Sequence, residues 1–111
     1  VEWSDGFAKL IMPIGPHLLN REGIPHGGAL ATVLDTAMGF AGSYTGDPDK
    51  PHIVMTLNLS VNYMAKANGN RLITTANVTG GGYKTFFAEA RVSDDLGTVA
   101  ATSTGVFKRK I

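Results

Sequence analysis

The sequence contains no cysteine, so neither a disulfide framework nor thiolate chemistry is available to it. Core packing or association with another subunit must hold the chain together. Charge of one sign is equally scarce: ten basic residues against nine acidic leave a formal net charge of +1. That balance gives no electrostatic footprint for nucleic acid or an anionic membrane. No apolar run approaches the ~20 residues of a membrane span, and the opening VEWSDG lacks the basic-then-apolar shape of a signal peptide. The expectation is a soluble, cytoplasmic protein; the start on valine leaves a leading segment open. His17, His26 and His52 lack zinc spacing, and without cysteines or a tight carboxylate cluster no metal is expected.

What is present suits one compact domain over residues 1–111, with 43% hydrophobic residues to fill one core. GFAKLIMPI, Gly6 to Ile14, reads as a first strand, with Pro13 marking an edge or bend. After an irregular connection, Pro25 precedes HGGALATVLDTAMGFAG, a helix expected from near His26 to about Ser43. YTGDPDKP then reads as a loop. From His52 the texture alternates at period two through HIVMTLNLSVNYM, followed by the strand patterns RLITTANVTG, KTFFAEARVSD and TVAATSTGVFKRK, joined by the turns GGG and DDLG. Strand, helix and four further strands without intervening helices predict an antiparallel α+β fold, one helix covering one sheet.

The helix raises the sharpest chemical question. Period 3.6 places Ala31, Asp35, Met38, Gly39 and Gly42 near one stripe, with Leu30, Val33, Leu34 and Ala37 filling much of the rest. A helix apolar or small nearly all round is expected to be buried, so Asp35 needs a partner or a job. By pattern alone it reads either as a hydrogen-bonded structural aspartate or as a catalytic one. At the helix start, first-turn amides lack intrahelical acceptors, and glycines permit close approach to the backbone; HGG is therefore either a carbonyl-binding site or an easy entry into the helix. Asp35 lies eight residues beyond Gly27, roughly 12 Å along the axis at ~1.5 Å per residue. If both serve one reaction, an antiparallel second copy must supply one of them, and the small stripe would permit that approach.

Other signals are weaker. GGGYKT, Gly80 to Thr85, lacks phosphate-loop spacing and reads as a hairpin turn, beside which Lys84 is either a solvated strand-end residue or a phosphate contact. The tail KRK reads as a solubilising end. Asp94 and Asp95 belong to a turn rather than to a catalytic pair.

Asn20, Gly23, His26, Gly27, Gly28 and Asp35, arranged as N-x-x-G-x-x-H-G-G followed by a helical aspartate, resemble the hotdog-fold acyl-CoA thioesterases, specifically the phenylacetyl-CoA thioesterase-like branch of the 4-hydroxybenzoyl-CoA thioesterase superfamily. TLNLSVNYMAKANG and DDLGTVAATSTGVF are similar to that family's later strand and closing hairpin. The resemblance implies a long helix wrapped by five or six antiparallel strands, pairing of protomers into a homodimer or dimer of dimers (a homotetramer), and cofactor-free hydrolysis of an acyl or aryl thioester of coenzyme A at the subunit interface. It implies Asp35 as general base or nucleophile, Thr56 positioning water, the Gly27 amide polarising the carbonyl with help from Asn20, and His26 orienting the loop. Gly28 and Lys84 join His26 as substrate-binding candidates. The chain departs from the family at Lys66, where proline is usual, and in GGGYKT, which lacks the usual Gly-Arg form. The alternatives are a non-catalytic acyl-CoA-binding module and a hydratase; the latter needs an Asp and His pair spaced differently from His26 and Asp35.

Overall fold

A computed structural model describes residues 2–16, 19 and 25–110. The elements run β1 (Glu2–Ser4), β2 (Phe7–Pro13), α1 (Gly27–Ser43), β3 (Ile53–Tyr63), β4 (Arg71–Gly81), β5 (Thr85–Asp94) and β6 (Val99–Lys110). All pairings are antiparallel, in the order β1-β2-β4-β5-β6-β3. The residue pattern finds five of these strands and misses β1, a short strand turned back on β2 through Gly6, whose φ of 71° suits glycine. Pro13 ends β2 beyond the stretch that β1 covers, where a missing N–H costs least.

The sheet packs closely on α1 because much of its inner face is small. Along β5, Phe86, Ala88, Ala90, Val92 and Asp94 are buried in strict alternation, and Ala76, Ala101 and Gly105 continue that face on β4 and β6. Leu30, Leu34, Ala37, Met38 and Ala41 of α1 bury against it. Gly105 makes room for Met38, whose Cε lies 3.1 Å from where a Cβ would stand. Gly42 admits the Phe86 ring to the helix backbone, and Gly39 faces Val54, with 3.3 Å between its would-be Cβ and Val54 Cγ2. The small stripe thus brings α1 close to its own sheet. That corrects the expectation that it stays open for a partner helix: Gly39, Gly42 and Met38 are all buried within the chain.

The helix is not buried all round either. Gly28, Thr32, Thr36 and Phe40 form an exposed face at four-residue steps, and Asp35 flanks it, half-buried. Two clamps fix the ends of the molecule. At the helix C-terminus, Arg109 donates from Nε to the Gly42 carbonyl (2.7 Å) and from Nη1 to those of Gly82 and Tyr83, with its guanidinium 4.5 Å from the centre of the Phe86 ring. Arg109 is therefore a structural tie and not part of a solubilising tail. At the opposite end, the buried Asp94 carboxylate accepts from the backbone amides of Asn68, Leu96 and Thr98, while Asp95 accepts from those of Asn70 and Arg71. Both carboxylates anchor the 65–70 segment after β3, consistent with the turn role read from DDLG.

Candidate active site

The helix begins where its sequence provides a cap. His26 adopts extended dihedrals (φ −66°, ψ 140°), and its Nδ1 accepts from the Gly28 amide at 2.9 Å. Its carbonyl accepts from the amides of Ala29 (2.9 Å) and Leu30 (3.2 Å). Those bonds absorb the first-turn donors one by one. Among the described residues, the Gly27 N–H alone in that turn is left without an acceptor. HGG reads from sequence as a carbonyl-binding site or an easy helix entry; in the structure Gly28 is committed to His26, so of the two glycine amides only that of Gly27 lacks an acceptor among the described residues.

One and a half helical turns beyond the first turn, Asp35 faces β3. The Thr56 hydroxyl donates to Asp35 Oδ1 at 2.8 Å. Thr56 reaches inward because the β3–β6 ladder slips next to it: Thr56 pairs with Phe107, Asn58 with Val106, and Leu57 is the extra residue. The bulge was legible in principle, since Val54 and Leu57 stand three apart in an otherwise two-residue rhythm. Asp35 and Thr56 line a cleft of about 280 Å³ with Thr36, Gly39, Val54 and His52. A larger hollow of about 450 Å³ lies among Asn77, Glu89, Arg91 and Thr104 and contains none of the sequence-predicted site residues. The cleft holding the carboxylate is the chemical candidate.

The remaining predicted residues separate clearly. His26 and Gly28 cap the helix, some 12 Å along the axis from Asp35 by the helical rise. Lys84 is exposed in the β4–β5 turn, next to Tyr83, whose ring meets the His52 ring edge-on at 5.7 Å. Its neighbour Tyr83 thus touches a cleft residue, while Lys84 itself does not line the cleft. Asn20 and Gly23 lie outside the described residues. Asp35 is half-buried rather than fully desolvated, as the all-apolar helix pattern had suggested, because the Thr32, Thr36 and Phe40 face beside it is open. No group of histidines and carboxylates among the described residues could hold a metal ion. Sequence reasoning missed His52 as a cleft residue and Tyr63, whose hydroxyl donates to the Gly27 carbonyl at 3.0 Å.

A helix packed on a six-stranded antiparallel sheet, with a lone helical carboxylate facing the edge strand β3, matches a known family. Residues 22–101 fit the model of the thioesterase superfamily. The chain belongs to that superfamily. The chemistry of the family is thioester hydrolysis, and the fold is its hotdog fold. The chain is 34% identical over 91 residues to acyl-coenzyme A thioesterase THEM4 of Bos taurus, a match spanning 68% of this chain and 35% of that protein, so this chain covers about a third of its length. A conserved protein of Pseudomonas aeruginosa superposes with a TM-score of 0.88 at 31% identity, covering 99% of this chain and 86% of the other. A Bacillus halodurans protein solved with CoA superposes with a TM-score of 0.82, again at 31% identity, over 93% of this chain and 67% of its own.

Proposed function

We propose that the chain is an acyl-CoA thioesterase that cleaves an acyl or aryl thioester to the free acid and coenzyme A. The observation that carries this reading is the Asp35 carboxylate, held at 2.8 Å by the Thr56 hydroxyl on the wall of an open cleft. The bond to Oδ1 fixes the carboxylate and leaves its second oxygen for water. Thr56 spends its one proton on Asp35 and keeps lone pairs that accept from the same water. Asp35 takes a proton from that water, whose oxygen attacks the thioester carbon; the C–S bond then breaks and the thiolate leaves, to be protonated as free coenzyme A. Attack by Asp35 itself through an acyl-enzyme anhydride is the alternative route. Oxygen-18 incorporated into the Asp35 carboxylate during a single turnover in labelled water would identify that route.

The carbonyl polariser is the Gly27 N–H, which has no acceptor among the described residues and lies in a helix start where the dipole favours developing negative charge. It stands too far from the Asp35 of its own chain to share a substrate atom. The site is therefore built from two subunits, Asp35 and Thr56 from one and His26 to Gly28 from the other, with Asn20 assisting. An edge strand supports that assembly: β3 ends the sheet with its second edge unpaired among the described residues, and carries the exposed apolar side chains Ile53, Met55 and Leu57. Antiparallel pairing of β3 with its copy would make one continuous sheet and set the two helices side by side. Lys84, the neighbour of the Tyr83 that packs on His52, takes a coenzyme phosphate.

The bovine relative named as an acyl-CoA thioesterase and the Bacillus halodurans structure with CoA support this substrate class. Steady-state thiol release by Asp35→Ala tests it on a panel of aryl, short and long acyl-CoA substrates, with the solution mass measured alongside. Loss of kcat by ~10² or more is expected. Unchanged turnover would sink the assignment, and an active monomer would refute the two-subunit site. Tight acyl-CoA binding with no thiol release by the unaltered chain would instead support the non-catalytic module.

A further inference from the structure

We infer that Tyr63 is a positioning residue for the carbonyl-polarising amide, an inference that rests on the two-subunit thioesterase reading. A hydrogen-bond donor for a developing oxyanion is effective only when its direction is fixed before the reaction. A helix N-terminus preceded by a loop and opened by two glycines is a poor place to fix anything, because glycine leaves the backbone free to rotate. The structure compensates on three sides of Gly27. The His26 carbonyl, part of the same peptide unit as the Gly27 N–H, is held by Ala29 and Leu30. The next peptide is held at its nitrogen end by His26 Nδ1 accepting from Gly28. Its carbonyl end receives the Tyr63 hydroxyl at 3.0 Å. The Tyr63 ring also lies flush against the Gly27 α-carbon, with 3.4 Å between Cε1 and the position a Cβ would take. The ring thus packs on the same residue whose carbonyl its hydroxyl bonds.

Tyr63 can do this because it is itself anchored. It is the last residue of β3, paired with Ala101 on β6. The amides of Met64 and Ala65, directly after it, donate to the Ala100 carbonyl at 2.8 and 3.2 Å. A few residues on, the Asp94 and Asp95 carboxylates hold the amides of Asn68 and Asn70. A rigid chain of contacts thus runs from the β5–β6 turn through the 65–70 segment to the donor. Tyr63 is 58% exposed, more than its packing in a core would require; its contact with Gly27 accounts for a tyrosine at this place better than burial does.

The test is Tyr63→Phe in the full chain, which keeps the ring and deletes the hydroxyl. On the best substrate of the panel, kcat should fall about tenfold with KM within twofold, the size of one lost hydrogen bond acting on the transition state. The melting temperature should stay within a few degrees. A second readout uses carbon-13 acyl-CoA labelled at the carbonyl and bound to Asp35→Ala, with and without Tyr63→Phe. The infrared carbonyl stretch, lowered on binding by the Gly27 donor, should move back toward its free value in the double variant. If Asp35→Ala is silent while Tyr63→Phe keeps full kcat and an unmoved carbonyl stretch, the inference is wrong and the thioesterase site stands. A kcat loss matched by a fall in melting temperature, with the stretch unmoved, reduces Tyr63 to a structural residue. If Asp35→Ala itself turns over normally, the underlying site reading fails instead.

Discussion

Deleting one N–H should separate the role of the Gly27 amide from every other property of the helix start, and proline is the substitution that does so. Gly27 is the first helical residue, where the ring's fixed φ suits the helix and the missing proton breaks no intrahelical bond. The preceding His26, at φ −66° and ψ 140°, already has the extended geometry that a following proline demands. A Cβ on residue 27 meets the Tyr63 ring at 3.4 Å, ordinary contact. The folded state should therefore accept Gly27→Pro with its melting temperature unchanged or raised, since proline also narrows the unfolded ensemble by ~0.4–1 kcal/mol. Catalysis should not accept it. Loss of one oxyanion donor removes about 2.7–4 kcal/mol of transition-state stabilisation, or 10²–10³ in kcat, measured by thiol release. Mixing the variant with Asp35→Ala after unfolding and refolding the two together adds a geometric control. In a mixed dimer, the aspartate of the Gly27→Pro chain meets the intact amide of the Asp35→Ala chain at one of the two sites. Random pairing then returns about a quarter of the unaltered activity from two nearly inactive parents. Full activity of Gly27→Pro, or no recovery on mixing, would refute the proposed division of labour between subunits.

Three further outcomes follow from the clamps. Asp94→Ala strips the acceptor from three backbone amides (Asn68, Leu96 and Thr98) and should cost at least ~3 kcal/mol, seen as a fall in melting temperature of roughly 12 °C or more. The Asn68 amide above all, against the opposing effect of burial and with Thr98 and Leu96 adding to it, holds the Asp94 carboxyl below its ordinary value. Asp95 is lowered likewise, chiefly by the Asn70 amide. A lowered folded value gives stability that is complete above the unfolded carboxyl pKa of ~3.9 and lost as pH falls through the folded one. Thermal melts between about pH 5 and 2.5 should therefore show a shallower acid limb in Asp94→Asn than in the parent; equal limbs would show that Asp94 does not drive it. Arg109→Lys keeps the charge but cannot span the Gly42, Gly82 and Tyr83 carbonyls at once, so chemical denaturation should register a loss of about 2 kcal/mol.

The order of elements was legible because its signals are local. The period-two rhythm of β4 to β6, the glycine turns between them and the cap at His26 each depend on neighbours in sequence, and α1 begins within a residue of where Pro25 and HGG place it. β1 escaped because a three-residue strand carries too little periodicity to register, and exists only through its pairing with β2. The KRK tail misled for a related reason: composition makes Arg109 a surface cation, and only the folded chain brings three carbonyls to it.

The sequence by itself determined that a single carboxylate sits in a nearly uncharged helix, and that its distance from HGG, fixed by the helical rise, is too long for one substrate atom. Tertiary structure decided the rest. It buried Gly39 and Gly42 against Val54 and Phe86, where a pattern of small residues could equally have faced a partner. It turned Thr56 toward Asp35 through a bulge between strands that are distant in sequence. It left one first-turn amide without an acceptor among the described residues by giving the others to His26. Each of these depends on which side chains meet across the fold, a quantity that helical and strand periods do not contain.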